Sequence, residues 1–200
     1  MKKVEFVFLI AIFGLFQACN SGTNNDSVEA AKDANDKKDS PVMAGHNDST
    51  MAVSNMPVDK DAADFAVEAA NGGMMEVELG NYAQQNASSQ RVKDFAVMMV
   101  KDHSKANGEL KEIAVSKNIT LPMNVGEKAR KDMDDLMKKK GKDFDKAYMN
   151  MMLDDHKKDV KAFEKAAKDC NDPEIKSFAG RTLPVLQGHL DSSKALTGKK

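Results

Sequence analysis

The chain has 200 residues, 41% of them hydrophobic and 30% charged, with a formal net charge of −1. That supplies enough apolar material for one globular domain plus extra segments, and the near-neutral balance argues against nucleic acid or another polyanion as a partner. No Trp, few aromatics and 14 Met among many Ala and Lys favour helices over strands.

Residues 1–18 read as a lipoprotein-type signal peptide. Lys2 and Lys3 form a basic end, Val4 to Phe16 an apolar run broken only by Glu5, and Ala18-Cys19 a cleavage site. The run is too short for a membrane-spanning helix. On this reading Cys19 becomes the lipidated first residue of the mature chain, and its lipid makes the membrane a partner. The protein then belongs to the cell envelope, facing the outer membrane or periplasm. Simple secretion is the alternative, because Phe16 stands where Leu is usual in such a signal. Lipidation leaves Cys170 unpaired; a Cys19–Cys170 disulfide is the other option in an oxidising compartment.

Residues 19–58 are rich in Asn, Ser, Asp, Lys and Gly and lack a regular apolar stripe, so they read as a disordered tether. From residue 59 to 200 helical periods take over. A first long helix is expected from Asp59 to Asn86, and a second, capped by Ser88 or Ser89, runs to about Asn118. "NITLPMN" reads as a loop. A lesser helix covers about Glu127 to Lys139, with Gly141 as its C-terminal cap. The next long helix spans about Phe144 to Lys168, and Asp172-Pro173 opens a last one reaching about Leu196. The fold expected is all-α, a bundle of four long helices with one additional short helix.

Seven-residue stripes place Met99 and His103 on the core face of the second helix, and Met152 and His156 on that of the next long one. His189 falls on the stripe of the last helix, so every histidine of the domain lands on a core stripe. In the first helix, a stripe of Ala62, Ala66, Ala69, Gly73, Glu76, Gly80 and Ala83 turns Glu76 inward, while a rival register using Met74, Val77 and Leu79 exposes it. "RVKDFA" (91–96) and "EIKSFA" (174–179) form an internal repeat, so two related hairpins are expected. In that alignment the first helix pairs with the long third one, with Glu76 falling near His156 and Tyr82 near Phe163.

Glu76, His103, His156 and His189 are therefore candidate ligands for one transition metal: Fe, Mn, Zn or Cu. Asp102, Asp155 and Asp159 are candidates to orient the imidazoles. Met99 and Met152 stand four residues before a histidine and offer soft ligands for Cu(I). The competing reading is a metal-free duplicated core whose polar groups bond to one another. One difficulty is height. His189 follows Phe178 by eleven residues while His103 follows Phe95 by eight, about 4.5 Å apart at ~1.5 Å per residue. A kink at Pro184 bears on that offset. No motif for a catalytic nucleophile or phosphate loop is present in the sequence, and no substrate is indicated.

The phrases "FAVEAANGGMMEVELGNYA", "RVKDFAVMMVKDHSKANGELKEIA", "DFDKAYMNMMLDDHKKDVKAFEKAAK" and "LPVLQGHL" resemble a bacterial family, domain of unknown function 4142. The resemblance implies a ferritin-like four-helix bundle, exported behind a signal peptide and often labelled a putative outer-membrane protein. It implies no established activity. Ferritin-like di-iron sites use a Glu on two helices and Glu-x-x-His on the other two. Here Val100 and Leu186 stand three residues before His103 and His189, so a bridged iron pair is not expected.

Overall fold

The structure is a computed structural model describing residues 26–38 and 58–199. The expected signal peptide, Cys19 and most of the expected tether lie outside the described residues. Among those described there are six helices and no strand: α1 (Ser27–Asp36), α2 (Lys60–Asn86), α3 (Gln90–Ser116), α4 (Glu127–Met137), α5 (Gly141–Asp169) and α6 (Pro173–Thr197). The fold is all-α, as the periodicity predicts.

Helix ends follow local chemistry. Asp59 opens α2 by accepting from the Ala62 N–H at 2.7 Å. Asp172 opens α6 by accepting from the Glu174 and Ile175 N–H groups, with Pro173 in the first turn, where its missing N–H costs nothing. The Ser89 hydroxyl makes no cap bond. Buried Asp145 of α5 does that work, accepting from the Ser88 and Ser89 N–H groups at 2.9 and 2.8 Å. Gly141 is not the cap of α4. The last turn of α4 closes through Lys138 and Lys139 N–H groups, and Gly141 opens α5 at φ +57, a left-handed position natural to glycine.

The α2/α3 and α5/α6 hairpins pack against each other through α3 with α6 and α2 with α5, and α4 links them. The repeat phrases "RVKDFA" and "EIKSFA" open α3 and α6, with Phe95 and Phe178 both buried. At Gly80 an added Cβ would stand 2.7 Å from Val100 Cγ2 and 3.2 Å from the Ala96 carbonyl oxygen. Glycine thus lets α2 and α3 approach closely. Tyr82 packs on Phe144 with ring centroids 5.4 Å apart, while Phe163 packs on Phe65 and Phe178.

The apolar core has two parts. One contains Ala62, Ala66, Leu110, Phe163, Phe178 and Leu186; the other contains Leu79, Phe95, Met99, Phe144, Tyr148 and Met152. On each long helix the polar core residue falls where one part gives way to the other, so Glu76, His103, His156 and His189 form a layer between them.

Helix α1 corrects part of the tether reading. Val28 and Ala31 bury against Val67. Asn35, 3% exposed, donates to the Thr120 carbonyl at 2.9 Å and accepts from its N–H at 2.7 Å. Lys38 donates to the Asn118 carbonyl, and Lys32 pairs with Glu68 at 2.6 Å. Its buried face is only Val28, Ala31 and Asn35, a stripe too short and too mixed to stand out in the sequence.

Candidate metal centre

The four core residues are almost wholly enclosed: Glu76 2%, His103 6%, His156 0% and His189 2% exposed. The inward register of α2 is the one adopted, with Gly73, Gly80 and Ala83 buried alongside Glu76. The height difficulty on α6 does not separate the rings, and α6 runs unbroken through Pro184. Ring centroids lie 5.2 Å apart for His103–His189, 5.2 Å for His156–His189 and 5.5 Å for His103–His156. One nitrogen from each ring lies within 4.8 Å of the others.

Each ring has one nitrogen facing an acceptor outside this cluster. His103 Nδ1 is 2.9 Å from Glu76 Oε2, His156 Nδ1 is 2.9 Å from the Met152 carbonyl, and His189 Nε2 is 3.1 Å from Asp102 Oδ2. The remaining nitrogens face inward. His156 Nε2 and His189 Nδ1 are 3.2 Å apart, and His103 Nε2 is buried without a hydrogen-bond partner.

Counting protons along one path shows what this arrangement lacks. The path runs from the Met152 carbonyl through His156 and His189 to the Asp102 carboxylate. Both ends only accept, so its three contacts need three hydrogens. Two neutral imidazoles supply two. The third proton would make one ring an imidazolium, and burial opposes that. His103 and His156 are pushed down to about 4, chiefly by burial, and His189 is also lowered by burial despite the Asp102 carboxylate. With neutral rings donating outward to Glu76, Met152 and Asp102, each ring keeps one lone pair off those acceptors, and one nitrogen of each ring lies within 4.8 Å of the others. A metal ion held by three imidazoles, each fixed by an outer acceptor, has this donor pattern. Two nitrogens on a tetrahedral ion at about 2.0–2.1 Å would be about 3.3–3.4 Å apart, close to the His156–His189 separation.

A family model described as a domain of unknown function, DUF4142, matches residues 47–196. The chain belongs to that family. No curated protein and no solved structure matches it. The family description assigns no activity, so the chemistry of this DUF4142 chain rests on its own residues.

Of the residues singled out in the sequence, Asp102 does bind an imidazole, reaching across from α3 to His189 on α6. Asp155 does not; it pairs with Lys158 at 3.2 Å. Asp159 bonds to no ring either, but groups with Glu76 and His156, ligand atoms lying within 4.8 Å of one another. Met99 and Met152 are fully buried in the apolar core, and Met152 serves the site through its backbone carbonyl. Glu76 is raised to about 7, first by burial and then by Asp155, against the opposing pull of His156. Sequence reasoning missed the Met152 carbonyl, which has no side-chain signature. It also missed a void of about 20 Å³ beside Glu76 and His103, lined further by Asn107, Asp159 and Thr182.

Proposed function

We propose that this chain is an exported envelope lipoprotein, anchored through Cys19, whose bundle holds one transition-metal ion on His103, His156 and His189. The ligating atoms are His103 Nε2, His156 Nε2 and His189 Nδ1. Glu76, the Met152 carbonyl and Asp102 orient the rings. The observation that carries the reading is the missing proton: three buried, neutral imidazoles turn lone pairs toward one another, with His103 Nε2 unpartnered. Three nitrogens with a carboxylate nearby suit Zn, Cu(II), Fe or Mn in that chemistry. The role that follows is binding or buffering a metal in the envelope, including under envelope stress, with no reaction assigned.

Elemental mass spectrometry on protein exported to a periplasm tests this. About one equivalent of metal is expected, lost in His103→Ala; binding unchanged in that variant would end the proposal. The anchor is tested by Cys19→Ser, which should release the protein from membranes.

A metal-free envelope module is the second reading. The short His156–His189 contact and the His189–Asp102 pair favour it, since they also suit a hydrogen-bonded chain if one extra proton is held. In that case neither adding nor chelating metal would move the melting temperature.

A further inference from the structure

Between α2 and α5, roofed in part by Asp26, Val28 and Glu29 at the start of α1, lies a half-open cleft of about 680 Å³. Its walls carry eight acidic side chains against two lysines. Most of these acids are exposed or already matched, Glu68 by Lys32, Asp132 by Lys128 and Asp155 by Lys158. The inner end is different. Glu76 and Asp159, together with Ala69 and Phe163, line both this cleft and the 20 Å³ void, so the two carboxylates border both spaces.

Glu76 divides its oxygens. Oε2 faces His103 Nδ1, whereas Oε1 is buried 3.4 Å from His156 Nδ1 without a hydrogen bond, on a residue 2% exposed. Asp159 has no hydrogen bond or ion pair among the described residues. A ligand atom of Asp159 lies within 4.8 Å of one on Glu76. Two carboxylates this close, half shut away from water, repel unless one holds a proton or something positive stands between them. No lysine or arginine is ion-paired to either among the described residues; Lys158 acts on Asp159 from the next position of α5 but is ion-paired to Asp155. A small hard cation that keeps several waters and takes one or two carboxylates meets the need, and the cleft has room for those waters.

We propose that Glu76 Oε1 and the Asp159 carboxylate form a second cation site, for a hydrated divalent ion of the Mg²⁺ and Mn²⁺ class entering through the α2–α5 cleft. It shares Glu76 with the proposed imidazole site but does not require that site to be filled.

The test uses the full mature chain, purified from membranes in detergent and preloaded with zinc. Mn²⁺ is added and its free fraction followed by electron paramagnetic resonance. One Mn²⁺ per chain is expected in addition to zinc. Asp159→Asn should weaken Mn²⁺ at least tenfold and leave zinc bound, while His189→Gln should lose zinc and keep Mn²⁺. No Mn²⁺ uptake by the wild-type protein at millimolar concentration overturns the proposal, as does equal uptake by Asp159→Asn. Should that variant misfold, Mn²⁺ broadening of backbone amide resonances in the wild-type protein decides the matter. Broadening centred on Gly72, Glu76 and Asp159 is expected, and broadening only elsewhere refutes the site. Zinc unaffected by His189→Gln, with Mn²⁺ uptake intact, would remove the imidazole site alone and leave this one standing.

Discussion

Replacing Asp102 with Ala separates the two ways the histidine layer can be held together. Asp102 Oδ2 lies 3.1 Å from His189 Nε2, and its side chain is 30% exposed, so truncation opens no internal cavity. If the layer serves a metal, Asp102 holds His189 with its Nδ1 lone pair turned inward. Losing such an outer partner typically weakens a metal 10–100-fold, about 1.4–2.7 kcal/mol. The metal-free protein should scarcely change. With both rings neutral, one of the three contacts along the Met152–His156–His189–Asp102 path is acceptor against acceptor, and removing Asp102 relieves that conflict. If instead His189 is held as an imidazolium, the same truncation removes a charge-assisted bond and costs the metal-free protein about 1.5–3 kcal/mol. The assays are competitive zinc titration against a chelating dye and urea denaturation of the chelated protein. Asp102→Asn, which keeps an acceptor oxygen, should recover part of the affinity. Unchanged zinc affinity in Asp102→Ala, coupled with a destabilised metal-free protein, would refute the proton count.

Three further outcomes follow from the same residues. Zinc binding at pH 7 should release only about half a proton, from Glu76 held near 7, because His103 and His156, lowered to about 4, are already neutral; calorimetry in buffers of different ionisation enthalpy reads this number, and release of two or more would contradict neutral rings. Asp159 is raised to about 9 from 3.8, first by burial and then by Glu76 and Asp155. Its contribution to stability is therefore present below about pH 4 and lost as pH rises toward 9. Metal-free Asp159→Asn should accordingly gain melting temperature over wild type at pH 8 and little at pH 4, and a gain independent of pH would contradict that assignment. On α2, Gly72→Ala meets nothing within 4 Å and should stabilise the fold. Its gain should be about 0.5–1 kcal/mol, whereas Gly80→Ala should cost about 1–3 kcal/mol, both read by chemical denaturation.

Much of this arrangement is visible in the sequence because it follows a helical period. His103, His156 and His189 fall on stripes whose other members are apolar, and that alone sends them to a common core. Glu76 is harder to read, since Ala and Gly surround it and either register of α2 is serviceable; the closeness that Gly80 allows between α2 and α3 is a property of the pair of helices. The meeting of His189 with the other rings is likewise a matter of how α6 lies along α3 and α5, which counting residues from a reference phenylalanine does not capture. Contacts made by backbone atoms leave no trace in composition, as with the Met152 carbonyl on His156 and the Ser88 and Ser89 N–H groups on Asp145. Helix α1 escapes for a related reason, docking through Asn35 and Lys38 onto loop backbone after α3.

The most direct measurement of the central claim is the X-ray absorption spectrum of the zinc-loaded protein at the zinc edge. A first shell containing three imidazole nitrogens at about 2.0–2.1 Å, falling to two in His103→Ala, is the result expected. A shell without imidazole, or a protein that keeps no zinc after dialysis, would contradict it.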